Sequence, residues 1–217
     1  MKKNQSISAF DLDHTLFSEN SSYRFGRYLY SKKLVPFSSL AFIIGCNIRY
    51  KLGLLSIVKL HQSAFGRLFH GQLSSVVKQW AIDFLDENFE KLLYLPAIEK
   101  LMSAQNAGHV TGILSSTPDF LVEPIAKRLN VSFWDATRYA VDKDSRFCHI
   151  DKLMLGSDKA IVLQELGNQY GITRHEMYAY SDSDLDLPFL FAAGHACGVN
   201  PNRKLRSICH ENDWLII

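Results

Sequence analysis

Five short apolar runs, "ISAFDL", "HVTGILSS", "VSFWDA", "EMYAYSD" and "HACGVN", recur along the chain and are separated by longer stretches of helical pattern. Runs of this length, rich in β-branched and aromatic residues and bounded by polar residues or glycine, suit strands buried on both faces. Between them, "PAIEKLMSAQNAG" opens on a proline suited to a first helical turn and closes at Gly108, and "SDKAIVLQELGNQYG" closes at Gly171. Both glycines are candidates for a left-handed cap. Strand and helix in alternation predict an α/β domain with a mostly parallel sheet. "PDFLVEPIAKRLN" reads as a further helix, interrupted or restarted at Pro124, because a proline removes a hydrogen bond from a helix interior.

One stretch does not alternate. Residues 17–93 contain no convincing strand, and Val76, Val77, Trp80, Ala81, Phe84, Leu85, Phe89, Leu92 and Leu93 keep the three-and-four spacing of an amphipathic helix. The expected organisation is an α/β core of residues 1–16 and 94–217 with residues 17–93 inserted as a helical domain. An insertion leaving the carboxyl end of the first strand overhangs the crevice where open α/β sheets bind ligands, so it is a cap in the geometric sense.

With 47% hydrophobic and 21% charged residues the chain is ordinary globular material, and disorder is not the default. A formal charge of +2 is too small a surplus to argue for nucleic acid or an anionic membrane as partner. Cys46, Cys148, Cys197 and Cys209 form no C-x-x-C pair or metal-ligand cluster, which predicts a reduced, cytoplasmic protein. The start "MKKNQSISAFDLD" carries two lysines in the manner of a signal peptide, but its apolar region is short and Asp11 interrupts it. In the most hydrophobic segment, "PFSSLAFIIGCNIRYKLGLLSIVKL", Arg49 and Lys51 lie near the centre, where each costs about 2.5–3.5 kcal/mol on insertion scales. The expectation is a buried helix with no stable membrane insertion. Its Phe, Ile and Leu content also suits a substrate pocket or a contact with a protein partner.

The chemistry-bearing residues follow the apolar runs. Asp11, Asp13 and Thr15 follow the first, Ser115 and Ser116 the second, and Asp182, Asp184 and Asp186 the fourth, with Lys159 in the helix before it. In an open α/β sheet these strand ends meet at one edge. Crowded carboxylates raise one another's pKa unless a cation neutralises them. An all-oxygen donor set suits Mg²⁺ better than zinc, which takes His or Cys. No His pair stands at ligand spacing, and His14 is expected to be a turn residue. Lysine and serine beside such acids provide the charge and hydrogen bonds that a phosphoryl group requires.

In that order, "FDLDHTL", "ILSS", "GSDKAIVL" and "YSDSDLDLPFL" resemble the four motifs of the haloacid dehalogenase superfamily of phosphohydrolases. The insertion after the first motif resembles the helical cap of its phosphoserine phosphatase-like branch. The resemblance extends over nearly the whole chain, including the tail "GVNPNRKLRSICHENDWLII". It implies a Rossmann-like parallel sheet with an inserted helical cap. It also implies Mg²⁺-dependent hydrolysis of a small phosphorylated metabolite. By resemblance Asp11 is the nucleophile that forms an aspartyl-phosphate, and Asp13 is the proton carrier. Ser115 binds a phosphoryl oxygen, and Lys159 neutralises the intermediate. The same resemblance gives Mg²⁺ to the Asp11 carboxylate, the Asp13 backbone carbonyl and Asp182, with Asp186 orienting metal-bound water and Asp184 left as a solvated turn acid.

Three departures qualify the resemblance. Ser181 stands where the fourth motif usually has glycine, and Ser116 and Thr117 follow Ser115 where phosphoserine phosphatases have S-G-G. Glu19 and Arg67 lie close to, but not on, the positions of the Glu and Arg that grip serine in those enzymes. A phosphoserine phosphatase proper, a phosphotransferase using the same covalent intermediate, and a non-catalytic binding module on the same fold remain the alternatives.

Overall fold

The computed structural model describes residues 6–217; Lys2 and Lys3, compared above with a signal peptide, lie outside the described residues. Strands β1 (Ile7–Phe10), β2 (Val110–Pro118), β3 (Phe133–Val141), β4 (Phe147–Lys152), β5 (Met177–Ser181), β6 (His195–Gly198) and β7 (Leu215–Ile216) form one sheet in the order β4-β3-β2-β1-β5-β6-β7. Among the described strand pairs of this sheet, β3/β4 is antiparallel and the others are parallel. The five apolar runs supply β1, β2, β3, β5 and β6; β1, β2 and β5 are buried on both faces, whereas β3 leaves Trp134 and Arg138 exposed. β1 lies mid-sheet, every residue of it buried, with β2 on one side and β5 on the other. The strand order reverses there, which opens a crevice at the carboxyl end of β1.

Helices α5 (Leu95–Asn106), α6 (Asp119–Arg128), α7 (Gly156–Tyr170), α8 (Leu187–Ala192) and α9 (Arg203–Glu211) belong to the sheet-bearing part of the chain. Gly171, at φ +66°, ends α7 in the left-handed conformation expected of it. α6 runs through Pro124 without a break, so the restart considered above does not occur. Its Phe120, Leu121, Val122 and Ile125 are buried, and tertiary packing offsets the rung that proline removes.

Between β1 and α5 lie α1 (Ser21–Ser31), α2 (Phe37–Lys51), α3 (Ile57–Leu68) and α4 (Ser74–Leu92). The two backbone crossings into this stretch are tied together: Phe17 bridges Leu93, Ser18 N–H donates to the Leu92 carbonyl at 2.8 Å, and Tyr94 N–H donates to that of Leu16 at 2.8 Å. A second tie comes from the β3–β4 hairpin, where Gly71 N–H donates to Phe147 O and Phe147 N–H to Gln72 O. Aromatic packing fills the space between. Phe69 meets Phe120 with ring centroids 5.2 Å apart, and Phe65 meets Tyr139 edge-on at 4.8 Å. Such pairs contribute roughly 0.5–1.5 kcal/mol each beyond their buried area.

Candidate active site

Asp11 is the first residue beyond β1. Its extended backbone (φ −68°, ψ 164°) continues the strand, and its N–H donates to Tyr180 O at 2.9 Å. The chain then makes one wide turn over Leu12–Leu16, closed by Phe17 N–H on Leu12 O, with His14 at φ +58°. Leu12 and Leu16 are fully buried and anchor the turn, while His14 is exposed and serves as the turn residue expected of it. The turn leaves Asp11 and Asp13 on the wall of one cavity.

Lys159 lies in the first turns of α7, only 3% exposed, and its Nζ donates to Asp11 Oδ1 at 2.6 Å and to Asp186 Oδ2 at 2.7 Å. Gly156 sets this helix against the Asp186 turn: a Cβ there would lie 2.3 Å from the Leu185 carbonyl oxygen. Burial opposes the charge of Lys159, but attraction by Asp11 and Asp186 prevails and holds its pKa above the ordinary lysine range. Asp11 Oδ2 makes no hydrogen bond among the described residues. Burial, reinforced by the Asp186 charge, pushes the Asp11 carboxyl up to about 7 in spite of Lys159. Burial and then repulsion from Asp11 and Asp186 push Asp182 up to about 8. Three carboxyl groups share one lysine, and their mutual repulsion adds to burial in raising Asp11 and Asp182.

Asp13 is held from four directions. Ser21 donates to its Oδ1 through both backbone N–H (2.8 Å) and hydroxyl (2.6 Å), while Asn20 Nδ2 (2.7 Å) and Thr117 Oγ1 (3.0 Å) donate to its Oδ2. Asn20 also caps α1 by accepting Tyr23 N–H at 2.8 Å, so one amide fixes both the helix start and the acid. Burial raises the pKa of Asp13 against these hydrogen bonds. Ser181, where a glycine was expected, is fully buried and donates its hydroxyl to Asp186 Oδ2 at 2.7 Å. The added side chain is a partner for Asp186 rather than an obstruction.

The cavity, about 460 Å³, brings together Asp11, Asp13, Lys159, Asp182 and Asp186. Ser115 is placed differently. It is 1% exposed, its hydroxyl accepts Thr117 N–H at 3.2 Å, and the cavity wall beside it is formed by Ser116 and Thr117. Asp184 is not a free solvated acid, because it accepts from Asn202 Nδ2 at 2.8 Å and pairs with Lys204 at 2.9 Å. Those bonds outweigh its partial burial and hold its pKa below the usual carboxylate range. Glu19 pairs with Arg24, and Arg67 donates to Ser38 Oγ; neither lines the cavity. Asn20, Ser21, Thr117 and Ser181 were not singled out for these roles from the sequence. The polar cluster "ENSS" was a legible helix-start signal that pointed to the first two.

Among the described residues, no three His, Cys, Asp or Glu side chains stand as a ready-made metal cage. The donor chemistry nevertheless fits a hard divalent ion. Asp11 and Asp182 are buried carboxylates whose charges repel, and Mg²⁺ needs only one or two carboxylates because it keeps water.

A family model described as haloacid dehalogenase-like hydrolase matches residues 9–190. The chain is 26% identical to a phosphoserine phosphatase of Mycobacterium tuberculosis, with 95% of this chain and 68% of that protein covered. It is 25% identical to a histidinol-phosphatase of Neisseria meningitidis, with 98% of both covered. A solved structure of a Bordetella pertussis protein of unknown function shares the fold, with a TM-score of 0.88, 23% identity and 99% of each chain covered. The match to the family model spans all four motifs, and the chain belongs to the haloacid dehalogenase-like hydrolase family.

Proposed function

We propose that this phosphatase of the haloacid dehalogenase family hydrolyses phosphate monoesters through an aspartyl-phosphate on Asp11, with Mg²⁺ as cofactor. The observation that carries the reading is the Asp11 carboxylate: one oxygen is held by Lys159, while the other is free on the wall of a cavity that Asp13 also lines. Asp11 Oδ2 attacks phosphorus as the ester P–O bond breaks, and Asp13 gives its proton to the departing alcohol oxygen. Asp13 then takes a proton from the water that attacks phosphorus, which releases phosphate and restores the Asp11 carboxylate. Lys159 offsets charge on the Asp11 side, and Thr117, Ser21 and Asn20 keep Asp13 aimed. Asp11, the Asp13 carbonyl and Asp182 are the groups that would hold Mg²⁺, with Asp186 beside them. When bound, the ion supplies neutralising charge to the phosphoryl oxygens.

Residues 17–93 act in this reading as a cap domain on a core of residues 1–16 and 94–217. The tie between Phe17 and Leu93 supports that boundary. The two named relatives act on different phosphate esters, and identities of 25–26% leave the substrate to be argued from the cavity itself. The positions of Glu19 and Arg67 outside its wall argue against phosphoserine.

The direct test is phosphate release from a panel of monoesters with Mg²⁺ and with chelator, beside Asp11→Asn. The expected result is metal-dependent release that falls at least about a thousandfold in the variant. An Asp11→Asn protein as active as wild type would refute the mechanism.

A further inference from the structure

Two features of the α1–α4 stretch have no part in the phosphoryl chemistry. The first is the character of the cavity away from the strand ends. There its wall includes Val35, Leu40, Ile43, Ile57, Leu60 and Leu68. The polar groups nearby are neutral: Asn47, Tyr50 and His61, the last kept uncharged by burial, which lowers its pKa to about 4. Among the lining residues Lys159 is the sole Lys or Arg, and the carboxylates are the four at the strand ends. A leaving alcohol carrying an ammonium or carboxylate would lose its water here without gaining an ionic partner, which is costly. An apolar chain would lose nothing on entry.

The second feature is charge. From Asn20 to Ile82 the chain contains no Asp or Glu and nine Lys or Arg, so the formal charge of +2 conceals a basic segment on an otherwise acidic chain. Helix α2 concentrates this pattern. Leu40 and Ile43 face the cavity, while Phe42, Ile48 and, just beyond the helix, Leu52 and Leu54 are 46–67% exposed on its outer side. Arg49, Lys51 and Lys59 are exposed beside them and have no ion-pair partner among the described residues. Exposed apolar residues flanked by unpaired cations complement an anionic lipid surface, with the apolar side chains entering the headgroup boundary and the cations meeting phosphates. Among the described residues no helix is long and apolar enough to cross a membrane.

We propose, resting on the phosphatase reading, that the substrate is a phosphate monoester of a long-chain apolar alcohol held in an anionic membrane, on which the outer face of α2 docks. The chain occupies the Leu40–Ile43–Leu60 side of the cavity and the phosphate meets Asp11.

The substrate class is tested with a series of straight-chain alkyl phosphates from ethyl to decyl, with phosphoserine and p-nitrophenyl phosphate alongside. kcat/KM rises about fourfold per added methylene until the chamber is full, the rate equivalent of burying one CH₂. Ala64 lines the chamber, and Ala64→Phe shifts the optimum to shorter chains. A flat series, or phosphoserine preferred to decyl phosphate, overturns the substrate class even as p-nitrophenyl phosphate hydrolysis upholds the phosphatase reading. Failure to hydrolyse any ester takes both down. Docking is read by co-sedimentation of the full chain with phosphatidylcholine vesicles, with and without phosphatidylglycerol. Binding is expected only to the anionic vesicles, weakened about fivefold by each of Arg49→Gln and Lys51→Gln, and weakened also by Leu52→Ser. Equal binding to both vesicle types, or binding to neither, overturns the docking.

Discussion

Lys159 Nζ lies between two carboxylates, 2.6 Å from Asp11 Oδ1 and 2.7 Å from Asp186 Oδ2, with all three side chains less than one-tenth exposed. Each acid comes from a different strand end and the lysine from a helix, so this one cation connects three elements that have no sequence proximity. Removing one partner from a buried ionic cluster leaves uncompensated charge and typically costs about 3–5 kcal/mol. Lys159→Met, which keeps the stem but not the charge, is expected to lower unfolding stability in urea by that order and to abolish turnover. A variant with wild-type stability would show that the two acids do not depend on the lysine.

Gly156 supports the same cluster from behind. A methyl group there would lie 2.3 Å from Leu185 O and 3.0 Å from Asp186 Cα, both backbone atoms that cannot swing aside. Gly156→Ala must therefore part α7 from the turn that carries Asp186, lengthening the bridge through Lys159. An overpacking cost of about 1–3 kcal/mol is expected, with kcat reduced more than KM is raised, because the displaced groups belong to the reacting end of the cavity. Unchanged kcat in a folded Gly156→Ala protein would rule out this coupling.

His61 gives the apolar side of the cavity a pH signature. Burial lowers its pKa from 6.5 to about 4, and no charged neighbour contributes to the shift. The unfolded chain therefore binds a proton near pH 6.5 that the folded protein refuses. The stability associated with neutral His61 is fully present above pH 6.5 and declines as pH falls toward 4, by at most about 3 kcal/mol. Urea midpoints at pH 7.5 and 4.5 should differ less in His61→Gln than in wild type, on the order of this amount. The same pH dependence in both proteins would show that the imidazole is not the group being protected.

The strands and strand-end acids were legible because each belongs to an apolar run long enough to cross a buried sheet and short enough to exclude a helix. β4 was missed because "FCHIDK" alternates inward and outward at the sheet edge, and β7 because two residues carry no period. Helix α2 was legible only as a hydrophobic stretch. It is apolar toward both the cavity and its outer side, which erases the amphipathic period, and the whole-chain charge averaged away the carboxylate-free segment around it. Asp11, Asp13, Lys159, Asp182 and Asp186 converge because topology decides their position. Hydroxyls such as Ser181 and Ser21 were not assigned because a buried donor and a solvated one look alike in sequence.

The sharpest case is Ser115, Ser116 and Thr117. The resemblance of "ILSS" to the second family motif gives the phosphoryl role to Ser115, and the pairing of β2 with β3 shifts register between Ser115 and Pro118. Such an irregularity re-aims the side chains beyond it. Ser115 consequently braces the strand end by accepting Thr117 N–H, while Thr117 Oγ1 reaches Asp13 and Ser116 faces the cavity. Two variants separate the roles. Thr117→Val retains the shape but removes a donor to Asp13, and kcat is expected to fall about 10- to 100-fold with little loss of stability, on the scale of a misaimed acid–base group. Ser115→Ala leaves Thr117 N–H buried without its acceptor, which costs about 1–3 kcal/mol of stability, and the catalytic loss follows from loosening of the strand end. If Ser115→Ala instead raised KM sharply at unchanged stability, the Ser115 hydroxyl would be in contact with the phosphoryl group and the bulge would have to straighten when substrate binds.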